Sequence, residues 1–187
     1  MITRRPLLLA ALASPLGTAR AADAEALLRS GGVVIAFRHA LAPGTFDPPG
    51  FKLGECSTQR NLSDEGRAQA RRIGEWFEQR SLKPQRVRSS PWCRCVDTAT
   101  LAFGTPEVDA TLGSPRGYSE ATNAESLRAL RRSLAAAAKR PGQFEVWVTH
   151  MFVLSALTGE GSSSGEGPVL RPRSNGEPEV LARLLVG

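Results

Sequence analysis

The sequence predicts an α/β fold, a three-layer α/β/α sandwich around a mostly parallel central sheet. Three observations predict it. Short apolar runs alternate with longer stretches whose apolar residues recur every three or four positions, as strands and helices do in layered sheets. Two of the runs, 33–37 and 146–148, are apolar throughout, as strands buried on both faces are. The only two histidines, His39 and His150, each stand just past one of these runs, where open α/β sheets place their reactive groups.

Residues 1–21 read as a secretory signal, and 22–187 as one domain of ordinary size. Thr3-Arg4-Arg5 gives a positive start, 7–16 an apolar stretch too short to span a bilayer, and Ala19-Arg20-Ala21 a cleavage site. Residues 3–8 also fit a twin-arginine signal loosely, so both export routes stay open. The expected location is periplasmic or secreted, with no stable membrane insertion once the signal is gone. Its loss removes three arginines and lowers 24 basic side chains to 21 against 18 acidic ones, a formal +3 in place of +6. That mild bias, without basic runs interleaved with aromatics, excludes nucleic acid as a partner.

Each element has its own signal. Residues 23–29 form a short amphipathic helix that Gly31-Gly32 breaks. Residues 33–37 form the first strand. The segment 41–60 is an irregular, proline- and glycine-rich loop, long enough to be functional or lid-like. Ser63 caps a helix with Asp64 and Glu65 in its first turn, and Ala70, Ile73 and Phe77 on one face, up to about Arg80. A second strand at 85–89 ends at Ser89-Ser90-Pro91, and Pro91 opens a helix running to about Phe103. A helix capped near Asn123 carries Leu127, Leu130 and Leu134 on one face and stops at Pro141-Gly142. The third strand is 145–149, followed by a helix to Gly159 and a Gly/Ser-rich loop. Residues 168–170 and 179–186 close the domain as antiparallel edge strands, and Trp76 and Phe77 belong to the core.

Three cysteines in an exported chain allow at most one bridge. Cys93 and Cys95 cannot easily bridge each other, so Cys56 pairs with one of them, or all three are plain buried thiols. A zinc site would need more ligands at better spacing.

Arg38 and His39 end one strand, Arg94 sits in the first turn of a helix after another, and His150 ends a third. Two imidazoles, two guanidiniums and a helix N-terminus in one pocket suit a phosphoryl group. Ser90 is no serine nucleophile, lacking the glycine elbow.

These residues resemble the histidine phosphatase superfamily, also called phosphoglycerate-mutase-like. Its Arg-His-Gly/Ala signature matches Arg38-His39-Ala40, and its Asn-Leu-Ser/Thr-x-x-Gly-x-x-Gln-Ala stretch matches 61–70. Its Ser-Ser-Pro-x-x-Arg-x-x-x-Thr-Ala element matches 89–99, and its late strand-end histidine matches His150. Four motifs in the right order carry the resemblance across nearly the whole mature chain.

The resemblance implies a phosphatase that needs no metal or other cofactor. His39 would attack phosphorus, and the phosphohistidine would be hydrolysed by water. Arg38, Arg94 and His150 would hold the phosphate oxygens. The family's general acid is a carboxylate, either directly after the second histidine, where this chain has Met151, or on a loop before it. Glu120 is the preferred candidate, with Glu125 and Asp109 as the others; these glutamates equally suit a helix N-terminus. Arg60 either reads an anionic part of the substrate or stays paired at the surface. The expected substrate is a small phosphorylated molecule or a phosphorylated envelope glycan. The competing expectation is a non-catalytic phosphate- or anion-binding protein on the same scaffold.

Overall fold

The computed structural model describes residues 16–113 and 120–186, with side chains described for 23–113 and 123–186. Residues 1–15 of the expected signal, residues 114–119 and residue 187 lie outside the described residues.

Helix α1 (Leu16–Ser30) begins seven residues before the expected 23–29 helix. Its early part is rich in alanine, a strong helix former, but carries no apolar stripe to announce it. Gly31 and Gly32 then take left-handed φ of 69° and 67°, a turn that glycine makes without Cβ strain, and feed β1 (Val33–Arg38). Helix α2 (Asp64–Gln79) starts as expected at Ser63, whose hydroxyl accepts the Gly66 amide at 3.1 Å. Strand β2 (Arg86–Ser89) leads to α3 (Cys93–Phe103). The two-residue β3 (Glu107–Val108) follows, a strand the sequence did not announce because two residues carry no period. Then come α4 (Glu120–Ala137), β4 (Phe144–Thr149), α5 (Met151–Thr158), β5 (Glu166–Pro172) and β6 (Pro178–Leu185). Helix α4 starts three residues before its expected cap at Asn123.

The six strands form one sheet in the order β3-β2-β4-β1-β5-β6. The first four are mutually parallel; β5 runs antiparallel to β1 and β6 to β5, forming the expected antiparallel edge. The alternation of β1 separates the two outer layers. Val33, Ile35 and Phe37 pack with Ala24 and Leu28 of α1, Ile73 and Phe77 of α2 and Ala99 of α3. Val34 and Ala36 face Leu130 and Leu134 of α4 and Leu154 of α5 on the other side. The result is the three-layer α/β/α sandwich, with Trp76 and Phe77 in its core.

Candidate active site

Register sets the site. β1 and β4 are parallel neighbours with Arg38 opposite Thr149, so the chain leaves both strands at the same level. The next residue on each is a histidine. The His39 amide donates to the Thr149 carbonyl at 2.9 Å, and the two imidazoles meet with ring centres 5.6 Å apart. Both are almost fully buried.

Hydrogen bonds assign their tautomers. His39 Nδ1 lies 2.8 Å from the Ala40 carbonyl, which can only accept, so Nδ1 carries the proton and Nε2 the lone pair. Around His150, Arg94 Nη2 can only donate to Nδ1 at 3.4 Å, so the proton sits on Nε2 and points to Ser90 Oγ at 2.8 Å. Ser90 is fully buried and serves to orient this ring. Burial, with Arg94, Arg60 and Arg38 nearby, pushes the His39 pKa down to about 3 against the opposing bond to Ala40. Burial and Arg94 likewise hold His150 well below the usual histidine value. Both rings are neutral near pH 7.

The motif residues between the histidines explain how the pocket is built. Thr98 Oγ1 accepts the Ala40 amide at 3.0 Å and donates to the Arg94 carbonyl at 2.7 Å, tying α3 to the chain just after His39. Gln69 accepts the Leu41 amide at 3.0 Å and donates to the Ser164 carbonyl at 2.9 Å, joining two loops to α2. Gly66 lies so close to the Leu41 carbonyl that any side chain there would overlap it.

Arg38, Arg60 and Arg94 converge on one cavity of about 370 Å³ that His39 and His150 also line. Arg38 Nη1 donates to the Ser162 carbonyl at 2.9 Å, and Arg60 Nη1 to the Ala42 carbonyl. The Nε of each of the three guanidiniums is buried without a hydrogen-bond partner. Phe46, Phe51, Trp92 and Phe152 supply apolar walls. The structure thus brings Arg38, His39, Arg60, Arg94 and His150 together.

It also adds a residue that sequence reasoning passed over. Asp47, on the 41–60 loop, accepts Arg94 Nη1 at 2.8 Å and the Arg60 amide at 3.0 Å on one oxygen, and Trp92 Nε1 at 3.1 Å on the other. Burial raises its pKa, but the Arg60 amide and Arg94 outweigh that and hold the carboxyl below the usual range. It is therefore ionised near pH 7. The signal was present in outline, since Asp47 and Glu55 are the only acidic residues of a loop marked as functional.

The same loop is pinned by a Cys56–Cys93 disulfide, which resolves the open pairing. Cys95 is a free, fully buried thiol 3.5 Å from His150 Nε2, its pKa pushed up to about 12 by burial. Among the expected acids, Asp109 is engaged by Arg88 and by the Thr111 amide and hydroxyl. Glu125 lines a separate hollow with Asn123 and Arg132. Glu120 opens α4, and its side chain lies outside the described residues. Among the described residues, no cluster of His, Cys, Asp or Glu could hold a metal ion, and no helix is long and apolar enough to cross a membrane.

Residues 53–113 match the histidine phosphatase superfamily (branch 1), a third of the chain that includes Arg60 and Arg94 but neither histidine. No curated protein matches the sequence. Among solved structures, the protein histidine phosphatase SixA complexed with tungstate is 19% identical, with a TM-score of 0.54 over 82% of this chain and 96% of that one. SixA from Agrobacterium tumefaciens is 23% identical, with a TM-score of 0.54 over 81% and 97%. A phosphoserine phosphatase from Entamoeba histolytica, in complex with phosphoserine, is 14% identical, with a TM-score of 0.60 over 81% and 95%. At these identities the likeness establishes the fold, the phosphoglycerate-mutase-like α/β sandwich.

Proposed function

We propose that the protein is a phosphomonoesterase that works through a phosphohistidine on His39. The observation that carries this reading is the tautomer of His39: its Nδ1 proton is held by Ala40, so the Nε2 lone pair belongs to a neutral ring beside three guanidiniums. Nε2 attacks phosphorus in line, the bond to the leaving oxygen breaks, and water then displaces the phosphoryl group from His39. Arg38, Arg94 and His150, with Arg60 beside them, hold the phosphoryl oxygens, and the guanidiniums supply the positive charge that metal ions supply in other phosphoryl-transfer sites. Glu120 is the carboxylate assigned to protonate the leaving group.

The similar solved proteins, named as a protein histidine phosphatase, a phosphohistidine phosphatase and a phosphoserine phosphatase, support a phosphorylated substrate. Within that class the substrate is a small phosphorylated molecule or a phosphorylated envelope glycan, met outside the cytoplasm after removal of residues 1–21. One observation favours the binding-protein reading: among the described carboxylates, Asp109 is engaged by Arg88, Glu125 lines a separate hollow, and Asp47, the one in the cavity, is ionised.

The test is phosphate release from an aryl phosphate by the chain starting at Ala22, across pH 5 to 8 with EDTA present and His39→Ala as control. An aryl leaving group needs little protonation, so even an impaired acid permits turnover. EDTA-resistant turnover that vanishes in His39→Ala supports the enzyme. Phosphate binding without turnover supports the binder.

A further inference from the structure

We propose that Asp47 is a positioning residue that holds Arg94 for the phosphoryl group and lowers the charge of the pocket to match it. The inference rests on the phosphatase reading above. Asp47 reaches into a cavity that three arginines line, and its carboxylate is the only acidic side chain among the described residues lining that cavity.

The geometry shows how it acts. Arg94 gives one terminal nitrogen, Nη1, to Asp47 and turns the other, Nη2, toward His150. The carboxylate is itself held from three directions, by Arg94, by the backbone of Arg60 and by the Trp92 indole. Its loop is fastened at Cys93, the residue before Arg94. Asp47 and Arg94 are therefore positioned by the same covalent link, and the guanidinium plane has little freedom to turn.

Charge gives the second half. Three guanidiniums against one carboxylate leave two positive charges beside two neutral imidazoles. A phosphate group carries about −1.5 to −2 near neutral pH, so the occupied pocket is close to neutral. Without Asp47 the pocket would carry three positive charges, bind the inorganic phosphate product more tightly and release it more slowly. The residue trades affinity for turnover.

The test compares the unmodified protein with Asp47→Asn, Asp47→Ser and Asp47→Glu. Inorganic phosphate binding is measured by calorimetry, and aryl phosphate turnover in parallel. Both neutral variants are expected to bind phosphate about tenfold tighter, a shift of about 1.4 kcal/mol, with kcat reduced; Asp47→Glu restores the original phosphate affinity. Two neutral variants guard against a folding failure in one. Unchanged or weaker phosphate binding in the neutral variants overturns the proposal. Phosphate binding by the unmodified protein without aryl phosphate turnover overturns the phosphatase reading instead, and the calorimetry still judges Asp47. Absence of phosphate binding by all variants overturns the Asp47 proposal, and absence of both binding and turnover in the unmodified protein overturns the phosphatase reading as well.

Discussion

His39 and His150 meet edge to face because β1 and β4 end in register, not because their side chains attract each other. The cost is two buried imidazoles that must stay neutral, and it makes stability depend on acid. The unfolded chain protonates both near pH 6.5, whereas folded His39 does so only near 3 and His150 well below its usual value. Between those limits the unfolded state binds more protons, so stability is complete above about pH 6.5 and falls as pH drops toward 3. Each histidine contributes a slope of about 1.4 kcal/mol per pH unit. Urea midpoints at pH 7, 6, 5 and 4 read it directly, and His39→Asn should make the decline shallower. A flat profile would mean that the folded protein carries charged histidines.

Arg94 presents a planar fork to Asp47, His150 and the Arg60 carbonyl at once, and a lysine cannot copy it. Arg94→Lys is expected to lower kcat for an aryl phosphate about 10²- to 10³-fold, the range for losing a transition-state donor. Retention of full kcat would remove Arg94 from the chemistry.

The Cys56–Cys93 bridge closes a loop of 37 residues, which a chain-entropy argument values at about 4 kcal/mol. Reduction should lower the melting temperature and raise KM for an aryl phosphate, because the freed segment carries Phe51 of the apolar cavity wall. Thiol titration separates the cysteines further. The oxidised native protein should react with no thiol reagent, since Cys95 is fully buried and protonated, and the unfolded protein should yield one thiol per chain. Two reactive thiols in the oxidised protein after unfolding are not possible with this bridge intact, and finding more than one would refute it.

What the sequence made legible follows the range of each interaction. Helix α2 was readable because its signals are local: Ser63 at the cap, acids in the first turn, and apolar residues at helical spacing. The two histidines were readable because strand ends and motifs lie within a few residues of them. Asp47 was not, because its three partners are 13 to 47 residues away and its loop has no period. The choice between Cys93 and Cys95 also needed the helix: residues two apart on a helix face nearly opposite ways, and here one meets the loop while the other meets His150. Strand β3 is defined only by its pairing to β2, which no two-residue pattern encodes.

Glu145 tests whether charge far from the site serves only the fold. It is 2% exposed at the start of β4, accepting Arg140 Nη2 at 2.9 Å and Trp147 Nε1 at 3.2 Å, with Arg86 and Arg88 at 3.9 and 4.0 Å. Removing a buried carboxylate from such partners leaves desolvated donors and costs about 3 kcal/mol or more. Glu145→Ala should therefore lower the urea midpoint sharply, whereas Glu145→Gln, which keeps an acceptor for Trp147, should cost less. His150 lies five residues further along the same chain, about 16 Å away at strand rise, so the surviving folded protein should keep its kcat. A variant of unchanged stability but reduced kcat would show that the charge network at the base of β4 reaches the histidines.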